Sequence, residues 1–464
     1  MMENEHATME ALGGAIEEGQ PLNTMQRRRF LQAALAAGVG AAVVGPALLP
    51  SAAQAQASGT DTILLTVTLM GGNDGLNTLG PFGSGAYRDL RGALAIPEGS
   101  AHSGPDAMSW HPSLRRLATR YRRGDVAVVR GVGDLNRDLS HFSNMARWQS
   151  ANPGGAISAN GWLGRWLDTV DAGQFGGVSI GGQGVPLHMR GNEVDVTDLP
   201  NRGGTALYGS DRSHDYDLTM YRAINQMRRA DGSSWVNAVG QVNAQSVSSA
   251  REVAGAFHTE LPDASRLQTD MVLAARVINL GLGTRVIDVS QPGYDTHDNQ
   301  IGANSSVGEH ADLLADLDLA LDTFFSTLSA AMAERVVVMI YSEFGRRAEA
   351  NGSRGTDHGT SNHTFLVGRR VTGGLYGEAP PLSNLDERGN FAITTDFRQV
   401  YSTVIDQALG GDRARVLGQD FGALSGLLVP ESAPSSTVAD RVAEIRNRRR
   451  RNAEDYFLDR APTF

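Results

Sequence analysis

The chain has 464 residues, with 41 basic side chains against 51 carboxylates, a net charge of −10, no cysteine and no lysine. Absent cysteine excludes disulfides, thiolate nucleophiles and cysteine zinc sites, and absent lysine excludes Schiff-base chemistry and a Walker-type phosphate lysine. The acidic balance argues against a general nucleic-acid binder, and any nucleophile must be Ser, Thr, a carboxylate or metal-bound water.

The N-terminus reads as a targeting device. An acidic leader, Met1 to Thr24, precedes Arg27-Arg28-Arg29-Phe30-Leu31, a twin-arginine pattern. A mildly apolar stretch from Leu35 to Leu49 and an Ala53-Gln54-Ala55 site follow. This order predicts a cleavable signal over residues 1–57 and no stable transmembrane anchor, because the apolar stretch is short and interrupted by glycine. The expected partner at this stage is the twin-arginine export machinery, and the expected location is periplasmic or extracellular.

The mature chain is expected to form one α/β domain over 58–435, with a helical insertion at about 213–281 and a charged helical tail at 436–464. A continuous apolar run, Asp61 to Met70, predicts a central strand ending in Gly71-Gly72-Asn73-Asp74-Gly75-Leu76-Asn77. Pro112 to Arg122 reads as an amphipathic helix, Val126 to Val132 as a second strand, and Leu139-Ser140-His141-Phe142 as a helix start. Short strands and Gly-rich loops follow over 173–212. Pro262-Asp263 marks a helix start, and Trp162, Trp166 and Trp235 fall in helical patterns as core residues. Strand Thr284–Ser290 leads into Gly293-Tyr294-Asp295-Thr296-His297, and one long helix is expected from Val307 to Ala333. Strand Arg335–Ile340 opens the segment Tyr341 to Thr364, which holds Glu343, Arg346, Asp357, His358 and His363. A strand near Phe365 and a helix from Thr395 to Leu409 close the pattern. Alternating strands and helices predict a mostly parallel sheet covered on both faces.

Three strands thus end in loops bearing carboxylates or imidazoles. Neighbouring parallel strands would bring those ends to one crevice, where open α/β sheets place ligands. Asp, Glu and His are hard to borderline donors for Zn²⁺, Mn²⁺ or Ca²⁺. The expected ligands are Asp74, Asp295, His297, Glu343, Asp357, His358 and His363, holding one or two divalent ions. Ser140 at a helix start is a candidate nucleophile or a helix cap, His141 a ligand, a general acid or a packing residue, and Arg346 an oxyanion clamp beside Arg347.

The order of these pieces resembles the alkaline phosphatase superfamily, which includes sulfatases. There a first strand delivers a metal-binding Asp, here matched by Asp74, and later strands deliver Asp-His sets, here Asp295 with His297 and Asp357 with His358. Ser342-Glu343-Phe344-Gly345 stands where that superfamily has Asp-His, with Phe344 in place of the His. His363-Thr364 resembles its last ligand turn. A closer resemblance, over nearly all of the mature chain, is to the bacterial DUF1501 family. It rests on the Gly-Gly-Asn73-Asp74 segment, Ser140-His141-Phe142, Tyr294-Asp295-Thr296-His297, Ser342-Glu343-Phe344-Gly345-Arg346 and Thr395-Asp396-Phe397-Arg398. The resemblance implies an alkaline-phosphatase-like α/β fold and a metal site. The activity expected from it is hydrolysis of phosphate or sulfate esters, small or polymeric. The alternative is a catalytically degenerate metal-binding or polysaccharide-binding protein.

Overall fold

The computed structural model describes residues 62–201, 252–257, 262 and 264–429. The leader, most of the expected helical insertion, Trp235 and the tail lie outside the described residues. The chain divides into two compact units: residues 1–53 with 203–258, and residues 54–202 with 259–464. Of the first, the described part is a short 3₁₀ turn, Ala254–Phe257. Everything below concerns the second.

Nine strands form its main sheet among the described residues. They are β1 Ile63–Met70, β2 Val126–Gly133, β3 Gly177–Ile180, β4 Thr197–Leu199, β5 Val286–Pro292, β6 Val336–Tyr341, β7 Asn362–Val367, β8 Gly374–Tyr376 and β9 Thr395–Asp396. Their order across the sheet is β8-β2-β7-β6-β1-β5-β3-β4, with β9 also paired to β2. β1 runs parallel to both β5 and β6, and β7 is antiparallel to its two neighbours, β2 and β6. The mostly parallel sheet anticipated from the alternation is therefore present, with β7 inserted against the grain. Because β7 reverses direction between β2 and β6, those two point the same way. The C-terminal ends of β2, β6, β1 and β5 consequently open on one edge.

The apolar runs form central strands because both faces are covered. Leu64, Val286, Val337 and Met339 on one face pack with Trp148, Trp162, Trp166, Phe397 and Tyr401 in one core. Trp162 and Trp166 are fully buried, as their spacing implied. The alternate residues Leu65, Val67, Ile287 and Val338 are equally buried and point to the other face, where the helix Arg266–Asn279 packs on β5 and on the helix Glu309–Thr327. Two boundaries depart from expectation. The long helix from Val307 divides into Glu309–Thr327 and Ala330–Ala333, because Leu328 is extended and the Ser329 hydroxyl caps the second piece. Thr395 and Asp396 form β9 rather than a first helical turn, with the Asp396 carboxylate capping the helix that begins at Phe397.

The loop after β1 is held by close backbone approach and by a buried ion pair. Gly71 has φ +118°, and a Cβ there would lie 2.4 Å from the Asp295 amide nitrogen. Asp74 is 1% exposed and Arg91 is fully buried. Arg91 grips both carboxylate oxygens of Asp74, Nη1 to Oδ2 at 2.7 Å and Nη2 to Oδ1 at 2.8 Å. Gln300 donates to Oδ2 at 2.7 Å, and the Asn77 amide to Oδ1 at 3.3 Å. Burial by itself would raise the Asp74 pKa, but Arg91, His310 and the Gln300 hydrogen bond together hold it below the usual carboxylate range.

Two outcomes follow from this loop. Gly71→Ala meets both a left-handed backbone and the Asp295 amide, so it should destabilise the protein by more than about 1 kcal/mol, read as a lower urea midpoint. Arg91→Met should cost about 3–5 kcal/mol, because it leaves a buried unpaired carboxylate, and Asp74→Asn in the same chain should recover much of that loss. A depressed folded pKa means the pair's contribution is complete above the unfolded value of about 4 and disappears as pH falls through the lower folded value. The double variant should therefore show a flatter stability profile below pH 4 than the native protein in acid-unfolding titrations.

Candidate metal centre

Each residue of the centre is placed by a strand end. β2 runs into the loop 134–140, where the Asp138 carboxylate accepts from the Ser140 amide at 2.9 Å and from the Ser143 hydroxyl. That loop starts the helix His141–Ser150 with His141 at its first position. β5 ends at Pro292, and the Tyr294 amide returns to the Met70 carbonyl at 3.0 Å, which brings Asp295 beside the end of β1. β6 ends at Tyr341 and delivers Glu343. A small antiparallel pair then sets Arg346 opposite His358.

At this edge His141, Asp295 and His358 each offer a ligand atom within 4.8 Å of the others. His141 Nε2 lies 3.3 Å from Asp295 Oδ2, and His358 Nε2 lies 3.1 Å from Asp295 Oδ1. His297 joins them, with its Nε2 at 2.9 Å from His358 Nε2 and 3.1 Å from Asp295 Oδ1.

The second nitrogen of each ring decides what the first can do. His358 Nδ1 is 2.8 Å from the Leu139 carbonyl and His141 Nδ1 is 2.8 Å from Glu343 Oε1. His297 Nδ1 faces Asp357 Oδ1 at 3.3 Å. A carbonyl or carboxylate oxygen only accepts, so these Nδ1 atoms carry protons, and whenever such a ring is neutral its Nε2 presents a lone pair inward. In that state the Nε2 lone pairs of His141 and His358 face the Asp295 carboxylate, with His297 Nε2 beside them, and buried His141 Nε2 has no hydrogen-bond partner. A cation at their centre resolves that repulsion. Each ring is also backed by the carbonyl or carboxylate that metal-bound imidazoles ordinarily have behind them. The residues present therefore fit a divalent ion.

The surrounding charges set the ionisation of these groups. Burial raises the Asp295 pKa, yet the Arg346 guanidinium, foremost among its neighbours, keeps the carboxyl ionised far below its ordinary range. The Glu343 hydrogen bond pushes the His141 pKa up, and burial pushes that of His358 down. Asp357 is held low because hydrogen bonds from Asn351 and His297, and the charge of Arg347, exceed its desolvation.

Not every expected ligand is in this set. Asp74 has both oxygens taken by Arg91 and lies buried, outside the ligand cluster. Glu343 is 2% exposed; its Oε1 accepts from the Gly71 amide at 2.9 Å as well as from His141, so it lies behind a ligand instead of being one. Asp357 likewise backs His297. His363 sits at a register shift in β7, turned to the Leu79 carbonyl at 3.1 Å, and burial lowers its pKa to about 4. Arg346 is 2% exposed and donates to the carbonyls of Gly71, Gly72, Tyr294 and Thr356 as well as to Asp295. Its guanidinium holds loops together and does not face an incoming oxyanion. Ser140 is exposed and occupies the N-cap position of its helix, but its hydroxyl makes no capping hydrogen bond. Phe344, standing where the superfamily pattern has His, lays its ring beside His141 and His358, at 4.9 and 4.6 Å between ring centres.

Sequence reading missed the supporting residues. Asn144 donates to the Glu343 carbonyl at 2.9 Å, and its position one helical turn after His141 was the available signal. Asn351 donates to the His297 carbonyl at 2.7 Å. Arg91, distant in sequence from every motif, gave none.

Comparison with known proteins adds the family and a set of distant structural neighbours. Ps i-CgsB aligns with TM-score 0.37 and 8% identity, covering 78% of this chain and 75% of its own. BT1596, a 2-O GAG sulfatase, gives 0.31 and 10%, with the same coverage. The lipoteichoic acid synthase LtaP from Listeria monocytogenes gives 0.30 and 8%, covering 82% of this chain and 76% of its own. No curated protein sequence matches. A family model described as a protein of unknown function, DUF1501, matches residues 125–427, which hold His141, Asp295, His297 and His358, and the chain belongs to that family.

Proposed function

We propose that this chain is an exported metal-dependent hydrolase of phosphate or sulfate esters with a single-ion centre. The observation that carries it is the convergence of His141, Asp295 and His358, with His297 beside them and the Nδ1 atoms of the three rings turned away. Two imidazole nitrogens and a carboxylate oxygen, with a third imidazole alongside, suit Zn²⁺ or Mn²⁺, whereas Ca²⁺ takes oxygen ligands. Arg91 takes both oxygens of Asp74, the expected first ligand, which supports one ion in place of two. Bound there, a divalent ion would polarise an ester oxygen and lower the pKa of a coordinated water. Around it, Glu343 orients His141, Leu139 orients His358, Asp357 orients His297, and Arg346 fixes Asp295. Ser140, exposed at the rim beside His141, is the protein's own candidate nucleophile. Export through the twin-arginine route, to the periplasm or beyond, belongs to the same proposal. Among the described residues no helix is long and apolar enough to cross a membrane.

A rival reading is a metal-binding or polysaccharide-binding protein that has lost catalysis, favoured by the loss of Asp74 to Arg91. Natively purified protein should contain about one equivalent of zinc or manganese by elemental analysis, and the single variants Asp295→Ala and His358→Ala should lose it. A panel of phosphate and sulfate mono- and diesters with added metal should show turnover that His358→Ala abolishes. Metal content equal in native and His358→Ala protein would sink the centre itself, while a stoichiometric ion with no ester turned over would support the rival.

Glu343→Gln keeps the shape behind His141 but removes the charge. It should weaken metal affinity by roughly 10–100-fold with little change in thermal unfolding of the metal-free protein. Unchanged affinity in a chelator competition would show that Glu343 does not position His141.

A further inference from the structure

Away from the metal centre, the helix Arg115–Arg122 concentrates positive charge on a chain of net charge −10. Arg115, Arg116, Arg120, Arg122 and Arg123 fall within nine residues, and the helix has no acidic residue of its own. The carboxylates of Asp318 and Asp322 reach it from the neighbouring helix Glu309–Thr327. Asp318 is buried and accepts from the backbone amides of Arg116 and Leu117 at 3.0 and 2.7 Å, so it serves as the cap the helix lacks. Asp322 pairs with Arg116 and Arg120, each at 3.3 Å.

Between these parts lies a groove of about 300 Å³, lined by Arg115, Arg116, Thr119, Arg120, Arg123 and Asp322. Four guanidinium groups face one carboxylate. Two of the four are fixed: Arg116 by Asp318 and Asp322, and Arg120 by Asp322 and by the ring of Phe325, 4.3 Å from its Cζ. Among the described residues Arg115 and Arg123 have no ion-pair partner, and both are exposed. Eight residues separate them, about 12 Å along a helix. The groove therefore has two anchored cations along its wall and one free arginine towards each end. A planar guanidinium meets phosphate and sulfate oxygens in a bidentate manner, and the net positive groove makes up for the carboxylates it lacks.

We propose that this groove is an oxyanion-binding site, separate from the metal centre, that takes phosphate or sulfate groups with Arg115 and Arg123 closing on the ligand. Its volume and length exceed one such group, so it should hold an anion bearing at least two of them better than an isolated ion. The site needs neither a bound metal nor catalysis, so the test stands whether or not the hydrolase reading holds.

The test is equilibrium binding to the full chain, treated with chelator, of inorganic phosphate, a short polyphosphate and dextran sulfate, with uncharged dextran as control. Saturable binding of the two polyanions is expected, tighter than that of inorganic phosphate and weakening steeply with salt. The double variant Arg115→Gln/Arg123→Gln, confined to exposed positions, should bind them at least tenfold more weakly at unchanged unfolding temperature. Flotation with vesicles containing phosphatidylglycerol separates the sources: co-flotation that the double variant loses points to lipid phosphate, and polyanion binding without flotation points to a soluble ligand. No saturable polyanion binding by the native chain, or equal affinity in the double variant, overturns the proposal.

Discussion

One buried guanidinium organises the strand-end edge of this protein. Arg346 sends its donors to the carbonyls of Gly71 and Gly72 after β1, of Tyr294 after β5 and of Thr356 before His358, and places its charge 2.7 Å from Asp295. Three loops from distant parts of the chain are thus joined through one side chain. A guanidinium suits this position because it stays charged when buried and carries five donors in a fixed plane. Once Arg346 is desolvated, every acceptor it meets is needed, because an unsatisfied buried charge costs several kcal/mol. The loops therefore have little freedom to separate, and the imidazoles they carry are held close before any ligand arrives.

This arrangement explains the glycines of the first loop. For the Gly71 and Gly72 carbonyls to meet Arg346, the backbone after β1 must come against Asp295, and at Gly71 it does so in a left-handed conformation. A side chain would push the Asp295 amide away and with it the carboxylate shared by three histidines. What looks in sequence like a ligand loop built around Asp74 is a packing loop: its glycines set the distance to Asp295, and its polar residues Asn73, Asp74 and Asn77 are all buried in internal hydrogen bonds.

The parts of the centre that were legible beforehand are those governed by local pattern. Apolar β-branched runs marked β1, β2, β5 and β6, and the polar residues following them had to lie at strand ends. The family relation, read from the spacing of the same motifs, is matched by the family model. What a single sequence could not supply was the role of each polar residue, since a carboxylate that binds a metal and one that backs a histidine look alike. Glu343 and Asp357 were placed correctly in the crevice, but only the direction of His141 Nδ1 and His297 Nδ1 separates them from ligands. Arg346 was read as an exposed clamp because its burial depends on four carbonyls from other loops. Arg91 and the antiparallel β7 are not legible for a related reason: the first depends on a loop folding back over 17 residues, the second on pairing with distant β2.

The fate of Asp74 follows from charge. A carboxylate buried at the end of β1 must be matched by a cation, and either a metal or a guanidinium can serve. A metal would need further donors arranged around it; the surroundings of Asp74 offer instead Gln300, which donates through Nε2, and Arg91, which fills both oxygens. Gln300 in turn accepts through Oε1 from Thr356, whose carbonyl is bound by Arg346. Asp74 and Asp295 are therefore linked through one continuous hydrogen-bonded chain, and each has an arginine of its own. They differ in their remaining neighbours: hydrogen-bond donors surround buried Asp74, whereas the imidazoles of His141, His297 and His358 surround Asp295 at the exposed edge. Asp74 is closed to a cation by its buried pair with Arg91, whereas Asp295, exposed and flanked by imidazoles, is the candidate to hold one.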